Sequence, residues 1–126
     1  MRAVSGKGAT VLGAEQTIVY GKLVRDEIPR IIEAAGKTPT VRVLGESEVI
    51  PALTAKLAEE AEELRRAEAS DLLEELADIY EVLVALTATL GYSDEEVKEA
   101  AQLKRAKRGG FGRRLWLDEV RSPEQS

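Results

Sequence analysis

From residue 47 to about residue 108 the apolar side chains recur at helical spacing, and residues that start or stop helices interrupt the pattern at three places. Ser47 has the chemistry of an N-cap. Ile50, Leu53, Leu57, Ala61 and Leu64 then fall on one stripe of a helix expected to end near Ala67. Pro51 is compatible with that helix because this start places it in the first turn. Ser70 opens a second run carrying Leu72, Leu76, Ile79, Leu83, Leu86 and Leu90, and Gly91 stops it. Ser93 with Glu96 forms a capping box for a further helix to about Arg108, which the glycine-rich residues 109–112 break. This pattern predicts an all-α domain. Its second and third helices form an antiparallel hairpin, part of a four-helix-bundle-type core.

The flanks carry weaker signals. Residues 1–16 are small, polar and punctuated by glycine, and are expected to be a flexible N-terminal segment, with residues 121–126 a flexible tail. Between them, residues 17–120 read as one domain. Residues 17–20, 40–44 and 114–117 suggest at most short peripheral strands. Residues 22–35 predict a loop feeding a short helix, capped by Asp26, with Pro29 in its first turn and Gly36 at its end. A compact chain of this mass should expose roughly 6,600 Å². Gly6, Lys7, Gly8 and Thr10 resemble a phosphate-binding loop only superficially, lacking its leading glycine and its Lys-Ser/Thr pair. No run approaches the ~18 apolar residues of a membrane span, and MRAVSGKGAT lacks the apolar stretch of a secretion signal. The expectation is a soluble, cytoplasmic protein with no membrane partner.

Two zeros narrow the chemistry. With 0 cysteines and 0 histidines there is no disulfide, thiolate nucleophile, imidazole shuttle or thiolate–imidazole metal site. Carboxylates, lysines, arginines and hydroxyls remain, and an oxygen-only ligand set favours hard ions such as Mg²⁺, Mn²⁺ or Ca²⁺. The net charge of −5 is also unevenly spread. Acids crowd residues 46–81, while Lys98, Lys104, Arg105, Lys107, Arg108, Arg113 and Arg114 are opposed only by Glu99. An acidic middle between basic ends suits an anionic ligand bridged to carboxylates by a cation better than it suits duplex DNA.

Four acids in the middle have coordinated spacing. Glu60 and Glu63 share one helix face, as do Glu75 and Asp78. In a tight hairpin centred on residue 69, Glu60 comes level with Asp78 and Glu63 with Glu75, the two levels about 4.5 Å apart. No lysine or arginine occurs from residue 67 to residue 97 to neutralise the third helix's acids. Converging carboxylates repel one another, and a divalent cation removes that conflict. Glu62 is different: Arg65 and Arg66 stand three and four residues on, so it is expected to be a solvated ion-paired residue. Glu59 points further out than Glu60 and is a candidate outer-sphere group, general base or solvated residue.

These residues resemble a known family. Glu59-Glu60-Ala61-Glu62-Glu63 is similar to the EExxE half, and Glu75-Leu76-Ala77-Asp78 to the ExxD half, of the all-α nucleoside triphosphate pyrophosphohydrolases, the MazG-like and phosphoribosyl-ATP pyrophosphohydrolase-like proteins. KLVRDEIPRIIEAAGKTP and RGGFGRRLWL resemble the second branch, so the likeness runs over roughly residues 20–117. It implies Mg²⁺-dependent (or Mn²⁺-dependent) cleavage of a nucleotide's α–β phosphoanhydride bond to a monophosphate and pyrophosphate, in a house-cleaning role on non-standard or surplus nucleotides. It also implies Glu60, Glu63, Glu75 and Asp78 as metal ligands, with Glu60 and Glu63 in the catalytic set and Glu59 as candidate base. Lys22, Arg25, Lys104, Lys107 and Arg108 are candidate phosphate contacts, each otherwise an ordinary solvated base. An isolated hairpin leaves apolar surface uncovered, so a homodimer or tetramer is expected.

Three rivals stand beside this reading: the phosphoribosyl-ATP pyrophosphohydrolase of histidine biosynthesis, a non-catalytic metal-binding helical interaction module, and a nucleic-acid binder using residues 98–114. The last is disfavoured because only Phe111 and Trp116 offer aromatic faces there, so no stable nucleic-acid partner is expected.

Overall fold

The computed structural model describes residues 15–124. The expectations for residues 1–14 and 125–126, including the resemblance at Gly6 to Thr10, lie outside the described residues. The described chain is all-α: α1 (Ile28–Ala34), α2 (Glu46–Arg66), a 3₁₀ turn (Ala69–Asp71), α3 (Leu72–Thr89) and α4 (Asp94–Arg108). The expected strands at residues 17–20, 40–44 and 114–117 do not form; all three segments lack ladder pairing, and Arg114 sits at φ 56°. A strand needs a neighbour to satisfy its backbone, and each of these short runs lies alone.

The helix ends show how local chemistry sets the boundaries. α1 and α3 both finish in Schellman motifs. In α1, Gly36 at φ 82° lets its own N–H reach the carbonyl of Glu33, while the N–H of Lys37 reaches Ile32. In α3, Gly91 at φ 86° does the same toward Ala88, and Tyr92 toward Thr87. α4 opens on the expected capping box: Glu96 N–H donates to Ser93 Oγ at 3.1 Å and Ser93 N–H to Glu96 Oε1 at 2.9 Å.

Three expected caps are displaced. Glu27, not Asp26, precedes α1, and its side chain makes no capping bond. Gly45, not Ser47, caps α2, because Glu48 reaches back to accept the Gly45 N–H at 2.8 Å. That bond and Arg42 beside it hold the Glu48 carboxyl below its usual range. The earlier start puts Pro51 inside α2 rather than in its first turn. Ser70 lies within the 3₁₀ turn, which runs directly into α3.

α2 and α3 make the principal helix packing, as the hairpin pattern requires; α4 touches α3 lightly, and α1 packs against no other helix among the described residues. Leu53 and Val82 are the buried apolar residues of this seam. On α3 the inward face differs from the expected stripe: Glu75, Asp78, Ile79, Val82, Ala85 and Leu86 turn toward cover, whereas Leu72, Leu76, Leu83 and Leu90 are exposed. Leu73 and Tyr80 join them, at 78% and 58% exposure, to give α3 a second apolar face without a partner. No helix among the described residues is long and apolar enough to cross a membrane.

Candidate metal centre

The α2–α3 seam carries charge where a hairpin ordinarily carries leucine. Glu60 is only 5% exposed, the one buried charged residue among those described. It reaches the seam because its position follows Leu53 and Leu57 at the seven- and three-residue spacing that returns a side chain to one face. From α3, Glu75 and Asp78 point to the same place. Carboxylate oxygens of Glu60, Glu75 and Asp78 all lie within 4.8 Å of one another. Two of these acids also hold oxygens that are sealed from solvent without a hydrogen-bond partner among the described residues, Glu60 Oε2 and Glu75 Oε2. Such an oxygen costs free energy unless something donates to it or coordinates it.

The electrostatics carry the same tension. Burial raises the Glu60 pKa above the usual carboxyl range, the Glu63 charge adds to the rise, Lys56 opposes it, and Asp78 raises it again. Glu75 is also raised, first by burial, then by Glu63, Asp78, Glu60 and Asp71, with no cation opposing. Glu63 is therefore close enough to act on both, but it is not among the three residues whose oxygens converge. Of the four acids picked out by spacing, three form the cluster and the fourth flanks it.

Cations line the rim. Lys56 Nζ lies 3.1 Å from Glu59 Oε1 and 3.4 Å from Glu60 Oε1. Burial pulls the Lys56 ammonium down, but its hydrogen bond to Glu59 and the charges of Glu59 and Glu60 outweigh that and leave it raised. Lys22 reaches Glu59 Oε1 at 3.7 Å, and Arg25 donates to Asp78 Oδ1 at 2.7 Å. Glu59 is in turn held below the usual carboxyl range, chiefly by its hydrogen bond from Lys56. Of the candidate phosphate contacts, Lys22 and Arg25 thus stand at the acidic site. Lys104, Lys107 and Arg108 occupy the last turns of α4, exposed, and make no ion pair with the cluster among the described residues. Glu62 pairs with Arg65 and Arg66, as its spacing requires.

Lys56 was not singled out by the sequence pattern, although its signal was there: it precedes Glu59 and Glu60 by three and four residues, the distances at which helical side chains meet.

The donor set fits a hard divalent cation. Three carboxylates converge, two offer buried oxygens that nothing satisfies, and no sulfur or imidazole competes. Comparison with known proteins adds little to this. No family model matches the chain, and no solved structure matches it. An uncharacterised protein of Mycolicibacterium smegmatis (strain ATCC 700084 / mc(2)155) is 52% identical over 50 residues, 40% of this chain and 51% of that protein. The chain thus spans about half the length of that relative.

Proposed function

We propose that the chain is a Mg²⁺-dependent nucleotide pyrophosphohydrolase, cleaving the α–β phosphoanhydride bond of a non-standard or surplus nucleoside triphosphate with water to give a monophosphate and pyrophosphate. The observation that carries the reading is the pair of buried, unpartnered oxygens on Glu60 and Glu75, two residues whose carboxylates converge with that of Asp78 where two helices meet. The resemblance of EExxE and ExxD to the all-α pyrophosphohydrolases supports the reaction class.

In this reading Glu60, Glu75 and Asp78 hold the cation, with Glu63 beside them completing the ligand set. Bound there, Mg²⁺ (or Mn²⁺) supplies charge neutralisation for the phosphates and polarises the scissile bond. Lys22 and Arg25 stand on the rim, where an anion bridged to the carboxylates would meet them. Glu59 is the candidate base. Its lowered pKa keeps it ionised at neutral pH, which suits a group that orients a water more than one that takes its proton outright.

The partner we propose is a second copy of the chain. The exposed Leu73, Leu76, Tyr80 and Leu83 form the apolar floor of a groove along α3 that Arg25 and Glu81 edge, on a protomer with few buried apolar residues among those described. Covering it in a homodimer or tetramer completes a four-helix core.

The experiment is pyrophosphate release from a panel of standard and modified nucleotides, phosphoribosyl-ATP included, with Mg²⁺, Mn²⁺ or EDTA. Release that EDTA abolishes, and that Glu60→Ala or Asp78→Ala removes while far-UV circular dichroism is unchanged, supports the assignment. The best substrate then separates house-cleaning from histidine biosynthesis. Metal binding with no release from any nucleotide would instead identify a non-catalytic metal-binding module.

A further inference from the structure

The loop ahead of α1 carries two cations, and they end on carboxylates of different helices: Lys22 on Glu59 of α2 and Arg25 on Asp78 of α3. Among the described residues α1 packs on no other helix, and these charge contacts, beside the half-buried Leu23 and Val24, help tie the loop to the hairpin. Arg25 is placed as a counterion more than as a packing element. Its side chain is 55% exposed, yet Nη2 donates at 2.7 Å to Oδ1 of Asp78, one of the three converging carboxylates. Arg25 and a divalent cation therefore compete for the same carboxylate. The cluster itself still lacks a partner at its buried end, where Glu60, 5% exposed, aims Oε2 inward with nothing donating to it.

We infer that Arg25 is the resident counterion of the metal-free site, displaced from Asp78 by an incoming divalent cation and thereby freed for the anion that the cation holds. This rests on the metal reading above. An exposed arginine–carboxylate pair is weak, so a divalent ion exchanges for it readily. The freed guanidinium is then a two-pronged donor suited to phosphate oxygens. The exchange has consequences of opposite sign: neutralising Arg25 tightens cation binding and loosens anion binding. A merely structural Arg25 would loosen the cation when removed, and a plain phosphate contact would leave cation binding unchanged.

The test is calorimetric titration of Mn²⁺ into the full chain at low ionic strength without nucleotide, comparing wild type, Arg25→Gln and Arg30→Gln. Arg30 is the control, because its loss changes the net charge equally but it pairs with Glu27 beside its own helix. Arg25→Gln should bind Mn²⁺ roughly two- to ten-fold more tightly than wild type, and Arg30→Gln should match wild type. With Mn²⁺ saturating, inorganic pyrophosphate should bind Arg25→Gln roughly ten-fold more weakly than wild type. Unchanged or weaker Mn²⁺ affinity in Arg25→Gln, equal tightening in Arg30→Gln, or undiminished pyrophosphate binding each overturns the exchange alone. A wild-type chain that binds no Mn²⁺ overturns the metal reading with it.

Discussion

Replacing Glu60 by glutamine removes one charge from the α2–α3 seam and almost nothing of the side chain's shape. In the metal-free chain this should stabilise the fold. Glu60 Oε2 is buried without a donor, a condition that costs about 1–3 kcal/mol. An amide in its place can donate to the oxygens of Asp78 or Glu75 that converge on it. Against this stands the weakening of the pair with Lys56, 3.4 Å away: a glutamine carbonyl can still accept from that ammonium, which also keeps Glu59 at 3.1 Å, so the loss is about 1 kcal/mol. The expected net gain is about 1 kcal/mol, a rise of about 4 °C in melting temperature for a chain of this size. A divalent cation reverses the order. At about 100 times its Kd it adds about 2.7 kcal/mol to the wild type, on the order of 10 °C, while Glu60→Gln lacks the ligand oxygen and gains nothing. The assay is thermal unfolding followed by circular dichroism in EDTA and in excess Mg²⁺. Protein concentration must be fixed, because the melting point of an oligomer depends on it. A wild type more stable than the variant in EDTA would refute the claim that the orphaned oxygen is a cost. A variant that keeps the Mg²⁺-induced rise would remove Glu60 from the ligand set.

Three further outcomes follow from the same geometry. Glu60 and Glu75 both have raised pKa values in the folded chain, so the stability they contribute is full below the unfolded carboxyl pKa and is lost as pH rises through the folded values. In EDTA the wild type should therefore gain on Glu60→Gln as pH falls from 7 toward the carboxyl range, and in Mg²⁺ it should lose, as melting curves across pH would show. Ser93→Ala removes one arm of the α4 capping box and should cost about 1 kcal/mol; since α4 packs lightly, faster amide exchange confined to residues 94–108 is the expected readout. Leu83→Lys, on the unpartnered face of α3, should leave the helix content of the protomer intact while light scattering reports a monomer in place of an oligomer; a wild type already monomeric at micromolar concentration would count against the second copy.

Much of this architecture was legible in the residues because its signals are local. Gly36 and Gly91 mark helix ends by supplying positive φ, and the pairing of Ser93 with Glu96 is complete within four residues. The start of α2 was harder to read. Ser47 is the better capping side chain, yet Glu48 reaches back to accept the Gly45 N–H, a bond whose donor has no side chain to advertise it. The short β-branched runs misled for a related reason, since strand propensity says nothing about whether a neighbouring strand exists. For the site, spacing about residue 69 correctly brought Glu60 and Asp78 together, because antiparallel helices keep equidistant residues level. It could not show that Glu63 flanks the cluster or that α3 turns Val82 inward and Leu76 and Leu83 outward. Apolar residues on nearly every side of α3 leave two faces that periodicity alone cannot rank, and packing against α2 chooses between them.

The short 3₁₀ turn at Ala69–Asp71 acts as a ruler. It sets how far down α3 lies the residue that comes level with Glu60, so its length is under the same constraint as the carboxylates themselves. One residue inserted between Arg66 and Leu72, if absorbed into α3, would advance Glu75 and Asp78 by about 1.5 Å and swing them by about 100°, turning Asp78 away from Glu60 with every ligand still present. A graft that lengthened α2 and α3 by matched turns beyond the cluster would preserve it. The chemistry of this hairpin is therefore encoded as much in a residue count as in residue identity, and shuffling its connector is a way to silence the site without mutating any of its acids.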